Sequence, residues 1–255
     1  MIVDINAWTG HWGSLPPAGQ VEAVGAALRQ IGVARICLAP LDAVWCHNPH
    51  QANDLVYQAA RQAEDIDPVP LLDPTIATWW QELERARAQP RLRLVKLAPA
   101  YGSYELEAAD ELFEALAAAG LAAIVQVRLE DPRRQHPLAQ VPDLPPESVV
   151  AAARRHPDLQ LIIGGAATRG LMAVSADLRG LSNLYADVSQ VDGLDSISVL
   201  LEKGLGKKLL FGSHAPLFIP LAALSRVLAD LDDEVAEDIL RNNALKILDG
   251  STGTD

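Results

Sequence analysis

Asp4-Ile5-Asn6-Ala7-Trp8 ends the first apolar run of the chain, and Gly212-Ser213-His214-Ala215-Pro216 ends the last one. Between them, short apolar runs bounded by Pro, Gly and Asp alternate with longer segments of helical period, and this alternation repeats eight times. Such a pattern is typical of βα units that form a parallel sheet. The 255 residues give about 32 per unit, the size of one βα repeat. The sequence therefore predicts an α/β fold, a (β/α)8 TIM barrel with extra C-terminal helices.

The predicted elements fill the chain. The strands are expected at Ile2–Ile5, Ala34–Ala39, Pro68–Leu72, Arg93–Leu97, Ala122–Val127, Leu159–Gly164, Asn183–Val188 and Lys208–Gly212. Two further helical stretches, Leu221–Leu231 and Glu234–Leu248, follow the eighth strand. We predict one domain over residues 1–250 and a short disordered tail at 251–255. An open doubly wound sheet uses the same units, but no strand is followed by a Gly-x-Gly-x-x-Gly or Walker-type loop.

Composition and charge limit the choice of partner. The formal net charge of −12, with 33 acidic and 21 basic residues, disfavours nucleic acid and anionic membranes as partners. Met1 leads directly into a strand, and no apolar run reaches the length of a membrane span. Cys37 in a strand and Cys46 in the following loop are predicted as free thiols. We expect a cytoplasmic protein that binds a small anionic molecule, and a homo-oligomer stays open.

The two terminal stretches resemble the amidohydrolase-related metal-dependent hydrolase family, of the amidohydrolase 2 type. In that family the first strand typically ends Asp-x-His-x-His and the eighth ends Gly-Ser-Asp-x-Pro. Here Asn6 and Trp8 stand in place of the first two histidines, and His214 stands in place of the aspartate. Gln126 and Gly165 occupy what look like the places of two more histidines, after the fifth and sixth strands. The resemblance covers nearly the full length and implies the same barrel.

The replaced residues argue against a metal in the family's usual place. Zinc and similar ions bind imidazole, thiolate or carboxylate, whereas amide oxygens are weak donors and indole offers only an N–H. We therefore expect no metal cofactor, with zinc disfavoured. A relocated site is the alternative, formed by Asp4, His11 and His214 or by the loop pair His47 and His50.

The candidate functional residues lie after the strands, because the loops there converge on one mouth of a barrel. His214 is a candidate general base, and Lys96 or Arg128 would stabilise developing negative charge. The predicted catalytic residues are Lys96, His136, Asp187 and His214. The predicted substrate contacts are Asn6, Trp8, His11, Tyr101, Gln126, Arg128 and Arg133.

The loop after the fifth strand is the most polar stretch near the predicted mouth. It carries Arg128, Arg133 and His136 among carboxylates. Arginines there would bind an anionic substrate through paired hydrogen bonds. The alternative is an ion-pair network that only fixes the loop to the rim.

Three functions remain open at this point. Relatives of the pyrone-dicarboxylate lactonase type, as the resemblance implies, hydrolyse a lactone without a metal, which favours a metal-independent ester or lactone hydrolase for a small anionic compound. A catalytically silent barrel that binds a small ligand or a protein is the alternative. A metal-dependent hydrolase or decarboxylase with a relocated metal site is the third.

Overall fold

Eight parallel strands form the wall of a barrel in the computed structural model, which describes residues 1–13, 19–193, 195–229 and 231–250. The strands are β1 (Ile2–Thr9), β2 (Val33–Pro40), β3 (Ile66–Pro68), β4 (Leu94–Leu97), β5 (Ala122–Gln126), β6 (Leu161–Gly164), β7 (Leu184–Asp187) and β8 (Leu209–Leu210). Each predicted strand overlaps one of them. The predicted tail at 251–255 lies outside the described residues.

Helices cover the outside of the strands. They are α1 (Val21–Gln30), α2 (Asn53–Gln62), α3 (Trp79–Arg87), α4 (Pro99–Gly102), α5 (Asp110–Ala118), α6 (Pro146–Arg155), α7 (Thr168–Ala173), α8 (Ser175–Gly180), α9 (Ser196–Glu202), α10 (Pro220–Leu228), α11 (Asp233–Glu237) and α12 (Asn243–Leu248). Short 3-10 turns lie at Asp42–Trp45, Pro49–Ala52 and Leu106–Ala109. Each of the helices described is too short or too polar to cross a lipid bilayer.

Backbone hydrogen bonds close the ring at both places where the regular pairing stops. Strands β1 to β3 form one paired group and β4 to β8 a second one. Between β3 and β4, Lys96 N donates to Pro70 O at 2.8 Å and Leu72 N donates to Lys96 O at 2.8 Å. Between β8 and β1, Ile5 N donates to Phe211 O at 3.0 Å. This ring is the (β/α)8 barrel that the alternation predicts.

Most elements differ from their predicted bounds by a few residues, and two of the differences have a clear physical reason. The third strand, predicted at Pro68–Leu72, is Ile66–Pro68, since Pro70 has no N–H to donate and Leu71 makes only an isolated bridge to Lys96. The final helix, predicted as one piece, is interrupted by a π-helical segment at Asp238–Asn242. Phe211 N donates to the carbonyl of Ile239 at 2.9 Å, which fixes this segment to the end of β8.

Apolar side chains fill both sides of the strands, so that polar groups remain mainly at the strand ends. One cluster, with Leu97, Val125 and Phe211, lies between the strands and the helices. A second cluster includes Trp8 and Ile124. This layered packing is usual for a TIM barrel, whose interior is a packed core. Any polar group buried here must find its hydrogen bonds among the other strand ends.

Candidate functional site

Four buried polar side chains from four strands meet at the centre of the barrel, and we call them the central chain. Lys96 Nζ donates to Asn6 Oδ1 at 2.6 Å. Asn6 Nδ2 donates to Asp187 Oδ2 at 2.6 Å and approaches Gln126 Oε1 at 3.3 Å. Lys96, Asn6 and Asp187 are fully buried, and Gln126 is nearly so. The side-chain amide of Asn6 therefore links an amine on β4 to a carboxylate on β7.

The carboxylate of Asp187 is fully used by its neighbours. Its Oδ1 accepts hydrogen bonds from the backbone N of Ser189 at 2.8 Å and from the Ser189 hydroxyl at 2.5 Å. Its Oδ2 also accepts from the backbone N of Gly165 at 3.1 Å. Burial raises the pKa of Asp187, while the hydrogen bonds from Ser189 and Asn6 act in the opposite direction. Such a carboxylate is fixed in place by its donors.

Lys96 is a buried amine whose charge is only partly compensated. Its Nζ lies 3.8 Å from the centroid of the Trp8 ring, a cation–π distance. Burial lowers the pKa of Lys96 to about 7, although the charges of Asp187 and Asp4 favour the ammonium. Burial likewise raises the pKa of Asp4 to about 6, against hydrogen bonds from Ser213. The barrel centre thus holds groups that exchange protons near neutral pH.

His214 is neutral in this site. Its Nε2 lies 2.7 Å from the carbonyl oxygen of Leu129, so Nε2 carries the proton and donates it. Burial lowers the pKa of His214 to about 3. Its ring stands edge-on to Trp8, with the centroids 6.2 Å apart. The imidazole packs against Trp8 and joins the end of the eighth strand to the loop after β5.

Gly165 leaves room for its neighbours at the end of β6. Its φ of +72° lies in the left-handed region, and a Cβ added there would lie 2.5 Å from Gln126 Nε2 and 2.5 Å from Arg128 O. Any larger side chain here would collide with the glutamine that this chain carries on β5. The glycine at 165 and the glutamine at 126 therefore depend on each other sterically.

An open cavity of about 330 Å³, the mouth pocket, lies above this buried centre. One wall is aromatic: the ring centroids of Trp12 and Trp45 are 5.2 Å apart, and those of Trp45 and Tyr101 are 5.7 Å apart. The loop after β5 forms the other wall with Glu130, Arg134, Gln135, His136 and Ala139. A larger cavity of about 490 Å³ lies between α1 and α2 and is lined by His11. The residues of the central chain line neither cavity.

The structure brings together six of the predicted site residues. Asn6, Trp8, Lys96, Gln126, Asp187 and His214 meet at the barrel centre. Tyr101 and His136 line the mouth pocket instead, and Arg128 binds Gln190 at the rim with Nε 2.6 Å from Oε1.

Two predicted residues lie elsewhere. His11 is exposed and contacts Asp42, with Nδ1 3.0 Å from Oδ1. Arg133 is 88% exposed and paired with Asp131. The functional roles predicted for all of these site residues remain predictions.

Sequence reasoning missed several residues of the site, among them Trp45, Gln190 and Arg134. Trp45 lies in a 3-10 turn after β2, and Gln190 lies three residues after the end of β7. Trp45 and Gln190 each follow a strand within six residues, so a closer scan of the loops after the second and seventh strands would have found them.

Comparison with known proteins identifies the class of this barrel. The profile of the Amidohydrolase family matches residues 9–250, and the chain belongs to that family. No curated protein matches it significantly.

Solved structures share the fold at low identity. The uncharacterised TIM-barrel protein Bb4693 from Bordetella bronchiseptica is 14% identical, with TM-score 0.73 over 97% of this chain and 98% of its own. The dihydroxybenzoic acid decarboxylase from Polaromonas sp. JS666, with bound manganese and 2-nitroresorcinol, is 14% identical with TM-score 0.70 over 99% and 98%. The 5-carboxyvanillate decarboxylase from Novosphingobium aromaticivorans, with bound manganese, is 14% identical with TM-score 0.67 over 88% and 79%.

These comparisons correct the expectation of no metal cofactor. Two similar barrels hold manganese, so replaced histidines at a few strand ends are too little to exclude a metal from this fold. In the present arrangement the ligand atoms are too few for a divalent ion: Asp187 is saturated and the Lys96 amine binds Asn6, which leaves Nδ1 of His214 and Oδ2 of Asp4 as buried atoms without a hydrogen-bond partner in the described part of the chain. Among the residues described, no group of three His, Cys, Asp or Glu is placed to hold a metal.

The Gly165 packing has a direct test. Gly165→Ala adds a methyl group against Gln126 and Arg128, so we expect a loss of about 2–4 kcal/mol in the free energy of unfolding from strain and overpacking. Gly120→Ala is the matched control, because Gly120 also has a left-handed φ, +66°, but no atom within 4 Å of the added Cβ. Urea unfolding of both variants measures the difference. Equal losses would contradict the tight contact at Gly165.

The buried amine predicts a pH effect on stability. With the pKa of Lys96 near 7 in the folded protein and near 10.5 unfolded, the unfolded chain binds more protons between these values. The stability of the wild type relative to Lys96→Met should therefore rise by about 2 kcal/mol from pH 7 to pH 9. Urea unfolding at both pH values checks this. A difference that stays constant with pH would show that Lys96 keeps an ordinary pKa.

Proposed function

We propose that this member of the Amidohydrolase family binds a small planar carboxylate, such as a hydroxybenzoate, in the mouth pocket. The observation that carries the proposal is the aromatic wall of Trp12, Trp45 and Tyr101 opposite Arg134 on the loop after β5. Ligand binding is one of the alternatives that the sequence leaves open.

The aromatic wall favours a flat ligand. The Trp12 and Tyr101 centroids are 6.4 Å apart, so the three rings pack against one another and form one wall rather than two sides of a slot. Trp45 is 54% exposed, which leaves its ring available for stacking. A volume of about 330 Å³ lies at the lower end of the range of small-molecule pockets, which suits a single substituted ring.

The loop wall favours an anion. Arg134 Nε is 3.8 Å from Glu130 Oε1, a distance too long for a hydrogen bond. Half of the Arg134 side chain is exposed, so its guanidinium has donors to offer a carboxylate in paired geometry. His136 also lines the pocket and its Nδ1 accepts from Leu138 N at 3.1 Å. Its other ring nitrogen is then a donor to the same ligand.

Decarboxylation or hydrolysis of the bound anion is the second candidate function. It is favoured by Lys96, because a buried amine with a pKa of about 7 is suited to deliver a proton at neutral pH. The sequence favoured hydrolysis of an ester or lactone, and the comparisons do not support that reaction class. Several similar barrels are named as decarboxylases, including the two that hold manganese. Decarboxylation is therefore the reaction to test first.

Calorimetric titration with 2-hydroxybenzoate, with and without added manganese, tests the binding proposal. Arg134→Met should weaken binding by roughly tenfold or more, because a hydrogen-bonded charge is lost. Trp45→Ala should have a similar effect through lost stacking.

Arg133→Met is the matched comparison for Arg134→Met. The sequence names Arg133 as a ligand contact, whereas the pocket is lined by its neighbour. We expect near wild-type affinity for Arg133→Met. A larger loss for Arg133→Met than for Arg134→Met, or no binding by the wild type, would overturn the proposal.

A further inference from the structure

The central chain is closed off from the mouth pocket by a short backbone segment. Arg128 and Leu129 follow β5, and we call these two residues the strap. The Leu129 side chain is buried in the same apolar cluster as Trp8, whose ring contacts the Lys96 amine. The next residue, Glu130, lines the mouth pocket. The strap therefore lies between the open cavity and the buried amine.

Side chains from three strand ends hold the strap by its two carbonyl groups. Gln126 Nε2 donates to Arg128 O at 2.7 Å, and His214 Nε2 donates to Leu129 O at 2.7 Å. Gln190 Nε2 donates to both carbonyls, at 2.8 Å to Arg128 O and 3.2 Å to Leu129 O. Both carbonyls are thus bonded twice, which is their full capacity.

Gln190 also binds the side chain of the strap. Its Oε1 accepts from Arg128 Nε at 2.6 Å, and its backbone O accepts from Arg128 Nη2 at 3.2 Å. Gln190 is 3% exposed, so its side chain is shielded from water even though Arg128 is only partly buried. Of the three side chains that hold the strap, Gln190 alone contacts both carbonyls and the guanidinium.

We propose that Gln190 is a latch that holds the strap closed over the central chain, and that its release opens a passage from the mouth pocket to Lys96. A molecule in the mouth pocket touches Glu130 directly, so it can favour one position of the strap over another. The effect of a bound molecule on the strap rests on the proposed function, whereas the latch itself does not. The latch explains how fully buried groups would meet a ligand held at the rim.

Chemical labelling of Lys96 tests the latch. We acetylate the protein with acetic anhydride at pH 8 and measure the rate at each lysine by peptide mass spectrometry, with exposed Lys207 as the internal reference. Gln190→Met removes the hydrogen bonds at similar volume, and we expect Lys96 to label roughly tenfold faster relative to Lys207. The buried thiol of Cys37, measured with a thiol reagent, reports global unfolding and should keep its wild-type rate.

Asn183→Leu is the matched control, because Asn183 flanks the other end of β7. It is also a buried amide, and its Nδ2 donates to the carbonyls of Ala153, His156 and Leu159 at 3.0 Å each. We expect it to lower the thermal midpoint and leave the ratio of Lys96 to Cys37 labelling unchanged. Parallel acceleration of Lys96 and Cys37 in Gln190→Met, or no acceleration of Lys96, would overturn the latch.

Labelling in the presence of a ligand distinguishes the Gln190 latch from the proposed binding function. Saturating 2-hydroxybenzoate should change Lys96 labelling in the wild type by at least a factor of about three, because a ligand that prefers one position of the strap shifts the population of that position. If calorimetry shows no binding, the proposed function fails, and the Gln190→Met result still decides the latch. If 2-hydroxybenzoate binds and Lys96 labelling stays constant, the coupling between pocket and strap is wrong.

Discussion

The hydrogen bond from Lys96 Nζ to Asn6 Oδ1, 2.6 Å long and fully buried, is the interaction around which the site is arranged. A buried amine requires acceptors and a polarisable neighbour, since an isolated charge is very costly in a protein interior. Asn6 supplies the acceptor and Trp8 supplies the ring face. Because Asn6 uses its oxygen on Lys96, its nitrogen is left to donate to Asp187. One amide therefore fixes the orientation of three strand ends.

Because polar side chains fill the centre of the barrel, the accessible cavity lies further out, at the mouth. The strand ends, where a barrel usually binds its ligand, are filled by the central chain and covered by the strap. The open cavity lies above them, between the aromatic wall and the loop after β5. In the proposed function, the mouth pocket recognises the ligand and the buried Lys96 amine transfers the proton. The two steps therefore take place at different depths in the barrel. Movement of the strap is what would connect them, which makes Gln190 as relevant to function as any residue of the central chain.

The fold was accessible from sequence because it depends on a repeated pattern. Short apolar runs alternate with amphipathic helices eight times along the chain. Both terminal stretches also resemble the first and last strand ends of the family. The position of Lys96, Asn6, Gln126, Asp187 and His214 at one centre follows from the convergence of parallel strand ends.

The finer geometry was not accessible from sequence. The roles of Gln190 and Trp45 depend on how irregular loops fold back over the barrel, which no periodicity encodes. Charge content alone did not show that Arg133 turns outward to Asp131 while Arg134 lines the pocket. The cofactor expectation was wrong because it took the identity of a few residues as a guide to metal content, whereas barrels of this fold that are 14% identical contain manganese.

The protonation of Lys96 is the most direct test of this account. Nuclear magnetic resonance of protein labelled with 13C at the lysine ε carbon follows its titration, and the other lysines serve as references in the same spectra. The account predicts a midpoint near pH 7 for Lys96. A midpoint close to the ordinary lysine value of about 10.4 would contradict it, because the amine would then have to lie in water or beside a full counter-charge rather than at the buried centre of the barrel.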